Sequence, residues 1–167
     1  MNIIESYYAQ IILYLTSLTR KMKNISKTFL VVSLLFILSC SVEPEKINYG
    51  SDACHFCQMT IVDKQHAAQY VTSKGKQFKF DAVECMLNEF AESTTDNIDV
   101  ILVADYGNPG SMTDAKNATY LISPEIKSPM GAFLSAFSDE DIATKTLKEN
   151  SGKLYTWTSI KEKYSVK

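Results

Sequence analysis

The chain has 167 residues, 46% hydrophobic and 22% charged, with a formal net charge of −2. That is one domain's worth of sequence, and its balance excludes wholesale disorder and a polytopic membrane protein. Setting aside residues 1–39 leaves 13 basic and 18 acidic side chains, a net charge of −5, with the basic residues scattered among acidic ones. A nucleic-acid surface needs clustered Lys and Arg to release counterions, so no nucleic-acid partner is expected; a cationic metal or a basic partner patch suits the charge better.

Lys21 to Cys40 reads KMKNISKTFLVVSLLFILSC: a basic start, an apolar run from Phe29 to Leu38, and a small residue before a cysteine. This predicts a secretory signal peptide over residues 1–39. The apolar run falls well short of the ~20 residues a spanning helix needs. Ile37-Leu-Ser-Cys40 resembles a bacterial lipobox, which implies lipidation of Cys40 and a mature chain starting there, and the polar Ser41-Val-Glu-Pro-Glu-Lys46 reads as a tether, placing residues 40–52 between anchor and domain. A second apolar patch, Ile11 to Leu15, precedes the basic residues, and Met22 reads as the start of a conventional leader.

The folded part occupies residues 53–167. Thr60-Ile-Val62 is β-branched and predicts a short strand. Ala67 to Thr72 and Gln77 to Phe80 flank the turn Ser73-Lys-Gly-Lys76 and predict a β-hairpin with Phe78 and Phe80 on one face. From Ala82 to Glu92, the apolar Val83, Met86, Leu87, Phe90 and Ala91 have the spacing of a buried helical stripe, with Asp81 as its N-cap. A strand follows at Ile98 to Ala104, then a Gly/Asn/Pro loop from Tyr106 to Ser111 and a strand at Thr119 to Ile122. The rest holds Ser128-Pro-Met-Gly131, an apolar stretch Ala132 to Phe137 that could begin a buried helix, and a charged helix from Asp139 to Asn150. Asn150-Ser-Gly152 stops that helix before a strand-like Leu154-Tyr-Thr-Trp157. Hairpins followed by helices give an α+β domain with ββαβ order.

Once Cys40 is lipidated, Cys54, Cys57 and Cys85 remain, an odd number that cannot all pair within one chain. Asp52-Ala-Cys54-His-Phe-Cys57-Gln-Met59 gathers a carboxylate, an imidazole, two thiols and a thioether. Copper(I) is soft, prefers thiolate and thioether sulfur, and accepts few ligands. In an extended segment Cys57 and Met59 project to one side. Zinc is the rival, with Cys54-x-x-Cys57 as a half-site and His66 or Cys85 to complete it, but a second half-site is missing. A Cys54–Cys57 disulfide is the structural alternative. Met130, between Pro129 and Gly131, has no automatic place in a core, whereas Cys85 and Met86 are assigned to packing and His66 to an exposed strand entrance. No Ser-His-Asp spacing or phosphate loop is present, so nothing points to an enzyme.

The ordered set Cys54-x-x-Cys57-x-Met59-x-Ile61-x-Asp63, Ala67-Ala-Gln69, Gly75-Lys76, Phe80-Asp81-x-x-x-Cys85-Met86 and Ser128-Pro-Met130-Gly131, behind a lipobox, resembles the NosL family from Cys54 to about Phe137. The resemblance implies a periplasm-facing, membrane-anchored lipoprotein that serves nitrous-oxide reductase or its maturation proteins as a copper(I) chaperone, on a fold similar to a domain of organomercurial lyases. It further implies Cys57, Met59 and Met130 as the foremost ligands, with Cys54 as an alternative or transfer ligand. A lipoprotein scaffold and a thiol- or mercury-handling enzyme are the competing functions. The chain departs from the family pattern at Gln58, where glycine is common after the second cysteine, and at Ala82, where a second acidic residue is common.

Overall fold

The computed structural model describes residues 42–92 and 97–165, together with Leu13. Apart from Leu13, the signal segment, the lipobox and Cys40 lie outside the described residues. The elements are β1 (Ala68–Thr72), β2 (Gln77–Phe80), α1 (Val83–Glu92), β3 (Ile98–Ala104), β4 (Met112–Asp114), β5 (Thr119–Ile122), β6 (Leu134–Phe137), α2 (Glu140–Asn150), β7 (Lys153–Tyr155) and α3 (Trp157–Ser165). They build an α+β domain with two antiparallel sheets, ordered β2-β1-β3-β4 and β6-β5-β7.

The hairpin forms where its alternation and glycine place it. Ala68 lies opposite Phe80 and Tyr70 opposite Phe78, while Gly75 turns the chain at φ 80°. Phe78 stacks on Tyr70 with ring centroids 4.5 Å apart, and Phe80 lies 5.6 Å from the same ring. On α1, the apolar spacing buries Val83, Met86 and Leu87 completely or nearly so, contributing about 1.5–3 kcal/mol for each large apolar side chain. The main core joins both sheets through Ile61, Tyr70, Phe80, Met86, Val103, Tyr120, Leu134 and Ile160. Asp139 caps α2 by accepting from the Asp141 and Ile142 amides, and Gly152 ends the turn beyond it where a Cβ would sit 2.3 Å from the Ile122 carbonyl oxygen.

The ββαβ order is present from β1 to β3, and the sequence expectations fail at several points beyond and before it. Thr60 to Val62 is not a strand: Thr60 forms an isolated bridge with Ala53, and Ile61 bonds back to Asp52 and Gly50. The β-branched residues here close a local loop, so no neighbouring strand is needed. Ala132 to Phe137 does not begin a helix; its end is β6, fully buried against β5. β4, three residues long, is too short to show a period. Trp157 opens α3 and does not end a strand, because Thr156 and Ser159 cap the helix reciprocally through N–H bonds of 2.9 and 3.3 Å to each other's hydroxyls.

The segment read as a tether is attached to the domain along most of its length. Gln77 bonds to the Glu45 amide and the Glu43 carbonyl, Lys79 donates to the Lys46 carbonyl, and Ile47 and Tyr49 pack on the core. These contacts put the edge of the fold near Val42, where the compact unit Val42–Lys167 begins.

Candidate metal centre

Residues 52–60 form a closed loop held at both ends. Asp52 accepts from the Asn48 amide at 2.8 Å and pairs with Lys79 at 2.7 Å. The Cys54 amide donates to the Met59 carbonyl at 2.7 Å, the Gln58 amide to the Cys54 carbonyl at 3.0 Å, and the His55 amide to the Lys79 carbonyl on β2 at 2.8 Å. The tight reversal puts Gln58 at φ 62°, the left-handed region that favours glycine. Its side chain offsets part of that cost by donating to the His55 carbonyl.

This loop turns Cys54 inward against α1, where it meets Cys85. The sulfurs of Cys54, Cys57 and Cys85 all lie within 4.8 Å of one another. Cys54 and Cys85 are fully buried, Cys57 is half-buried, and all three are free thiols. The hydrogen bond from Cys85 holds the Cys54 thiol down at about 5, against burial, with help from the Cys57 and Asp81 amides. Donating that bond, together with burial, pushes Cys85 up. Burial also raises Cys57, although the Met59 amide donates to its sulfur. The surrounding donors thus favour the ionised form of Cys54, while Cys57 is the thiol nearest solvent.

The other residues singled out from sequence are spread around this cluster. Met59 is 54% exposed, directly after the loop. Met130 is 37% exposed and lines a 330 Å³ cavity with Glu84, Asn88, Ala132, Lys163 and Tyr164. Its turn is tied to α1 beside Cys85, because the Ser128 hydroxyl donates to buried Glu84 and accepts from the Phe133 amide. His55 packs edge-on against Phe78 and sits 3.7 Å from Glu89. Asp81 is buried, with one carboxylate oxygen unpartnered; burial raises it, and the Val62 amide steadies its charged form.

His66 is 2% exposed, contrary to its expected place at an open strand entrance. Its ring joins Asp63 at 2.9 Å to Ser135 of β6 at 3.2 Å. These are the residue types of a hydrolytic triad, yet Ser135 is fully buried, so the chain of bonds serves as a strut between the loop segment and the second sheet. Cys85 is the cluster member that sequence reasoning assigned to packing. The odd cysteine count was the signal for it; pairing it with the loop needed the tertiary fold.

The sequence matches the NosL family profile over residues 46–165. The chain belongs to the NosL family. Among NosL relatives, it is 28% identical over 149 residues to the copper-binding lipoprotein NosL of Stutzerimonas stutzeri, covering 80% of this chain and 78% of that one. The crystal structure of the copper chaperone NosL from Shewanella denitrificans superposes with a TM-score of 0.61 at 18% identity, over 70% of this chain and 94% of that one, and shows the same fold. Among the described residues, no helix is long and apolar enough to cross a membrane.

Proposed function

We propose that this chain is a copper(I) metallochaperone, not an enzyme, which holds the ion on sulfur and passes it to nitrous-oxide reductase or its maturation proteins. The observation that carries this reading is the thiol cluster, three sulfurs within 4.8 Å of one another with only Cys57 partly open to solvent. Thiolate and thioether donors select copper(I). Cys54 and Cys57 are the thiolate ligands of this reading, and Met59 and Met130 are thioethers near the surface through which an acceptor enters. The relatives' names support copper as the cargo.

Anchoring through a lipid on Cys40, on the periplasmic side of a membrane, would hold the domain close to an export pump or maturation complex and raise the local concentration of each for the other. The signal segment and the relative's description as a lipoprotein support this placement.

Zinc is the second reading, favoured by the third thiol that the fold adds to the CxxC pair. Copper transfer separates the two. Copper-loaded protein is mixed anaerobically with copper-free nitrous-oxide reductase and a chelator that traps free copper(I). Copper reaching the enzyme faster than it reaches the chelator supports delivery; copper appearing only on the chelator, or a protein that retains zinc and refuses copper, contradicts it.

A further inference from the structure

Four sulfurs run from the core to the surface at this site, two fully buried, one half-buried and one exposed. Cys85 is carried by α1 and is fully buried, Cys54 is fully buried at the start of the loop, Cys57 is half-buried, and Met59 is 54% exposed. A metal bonded to two thiolates at about 2.3 Å each spans at most about 4.6 Å between them. Three thiolates sharing one ion at that bond length lie about 4.0 Å apart, so the observed spacing, within 4.8 Å for every pair, needs a contraction of less than about 1 Å to close on one ion. That adjustment falls to Cys57, the half-buried member on the open side of the cluster. Cys85, on the helix, is the fixed wall.

Resting on the copper(I) reading above, we propose that Cys85 gives the ion an inner seat with Cys54 and Cys57, and that copper moves to an outer position on Cys57 and Met59 for handover. In the inner seat the ion is open to an acceptor only on the half-buried Cys57 side. Outward movement breaks the copper–Cys85 and copper–Cys54 bonds and forms a copper–Met59 bond, with Cys57 common to both states. The freed Cys85 thiolate takes a proton from solvent, and loading the inner seat of the metal-free protein releases that proton together with the Cys57 proton. Copper stays in the +1 state throughout, and no electron moves. Cys57 is then the pivot, Cys85 the retaining ligand and Met59 the exit ligand.

The division of labour is readable without any variant. The full protein is produced with selenomethionine, loaded anaerobically with one equivalent of copper(I), and examined by X-ray absorption at the copper edge. Three copper–sulfur bonds and no copper–selenium bond are expected. A copper–selenium bond in the resting protein, with fewer sulfurs, overturns the inner seat while leaving copper binding intact; failure of the protein to hold copper at all overturns the copper reading itself.

Kinetics adds a second arm. Cys85→Ala, checked for a native circular dichroism spectrum, should weaken copper affinity by at least about tenfold and speed release to a chelator. Met59→Leu should instead slow release to the chelator, the opposite direction to Cys85→Ala. Wild-type affinity and release in Cys85→Ala contradict the proposal; should that variant fail to fold, the absorption measurement decides alone.

Discussion

The sulfur of Cys85, on α1, lies within 4.8 Å of the sulfur of Cys54, on the loop before β1. Hydrogen bonding between the two lowers Cys54 and, with burial, raises Cys85.

The first consequence is a thiolate at unusually low pH. Thiolate ultraviolet absorbance of the metal-free protein should rise with a midpoint near about 5, and Cys85→Ala should move that midpoint upward. Because the folded value lies below the ordinary thiol value of 9.0, ionisation of Cys54 stabilises the fold fully above pH 9. That stabilisation fades as pH falls and is gone below about 5. Cys85, pushed up, acts in the opposite direction above pH 9. Chemical denaturation of the metal-free protein should accordingly show stability falling from pH 8 towards 5; a flat profile with no thiolate signal contradicts the arrangement.

The loop turn makes a prediction about Gln58. Its φ of 62° is in the left-handed region, where an L side chain costs roughly 1–2 kcal/mol and glycine almost nothing. Glycine also enlarges the freedom of the unfolded chain, so Gln58→Gly should gain only up to about 1 kcal/mol. Gln58→Val should lose about 1–2 kcal/mol. Thermal denaturation should rank glycine above glutamine above valine, and any other order would falsify the strain assigned to this turn.

Ser128 connects the Met130 turn to α1 by donating to buried Glu84 and accepting from the Phe133 amide. Removing the hydroxyl strands both groups, so Ser128→Ala should cost about 1–3 kcal/mol. Ser128→Thr should retain most of that stability. Equal stability of all three proteins in urea would show that the bridge contributes nothing.

α3 stands on Trp157 and Ile160, of which Ile160 is fully buried. Ile160→Ala should cost about 2–5 kcal/mol as a cavity-forming change, whereas Lys163→Ala, at the cavity rim, should stay within about 0.5 kcal/mol. Denaturation of the two variants checks whether this terminal helix is an integral part of the core.

Much of the fold was legible because its long elements carry complete periods. The Phe78/Phe80 alternation with Gly75 gave the hairpin, the Val83-Met86-Leu87-Phe90 stripe gave α1, and Asp139 gave the start of α2. Three-residue β4 has no period to read. β6 was obscured because a continuous buried run looks alike in strand and helix. α3 did leave a trace in Trp157, Ile160 and Tyr164 and in the Thr156/Ser159 cap, but Leu154-Tyr-Thr-Trp157 masked its start.

At the site, Cys54, Cys57 and Met59 were visible because they are close in sequence. Cys85 was hidden because a cysteine at the edge of an apolar helical stripe has the same local pattern whether it packs or binds. Only the docking of α1 against the loop brings its sulfur within 4.8 Å of the other two. Glu84 was likewise unreadable, since a carboxylate on a helix is ordinarily exposed, and its burial depends on the Ser128 turn arriving from far along the chain.

The most direct measurement is an anaerobic copper(I) titration of the protein against a competing chelator, on wild type and on Cys57→Ser, with circular dichroism to show that both are folded. Tight one-to-one binding by wild type, weakened by at least about tenfold in Cys57→Ser, is the expected result. Wild-type binding no tighter than that of the unfolded chain, or equal binding by a folded Cys57→Ser, contradicts a copper(I) chaperone built on this thiol cluster.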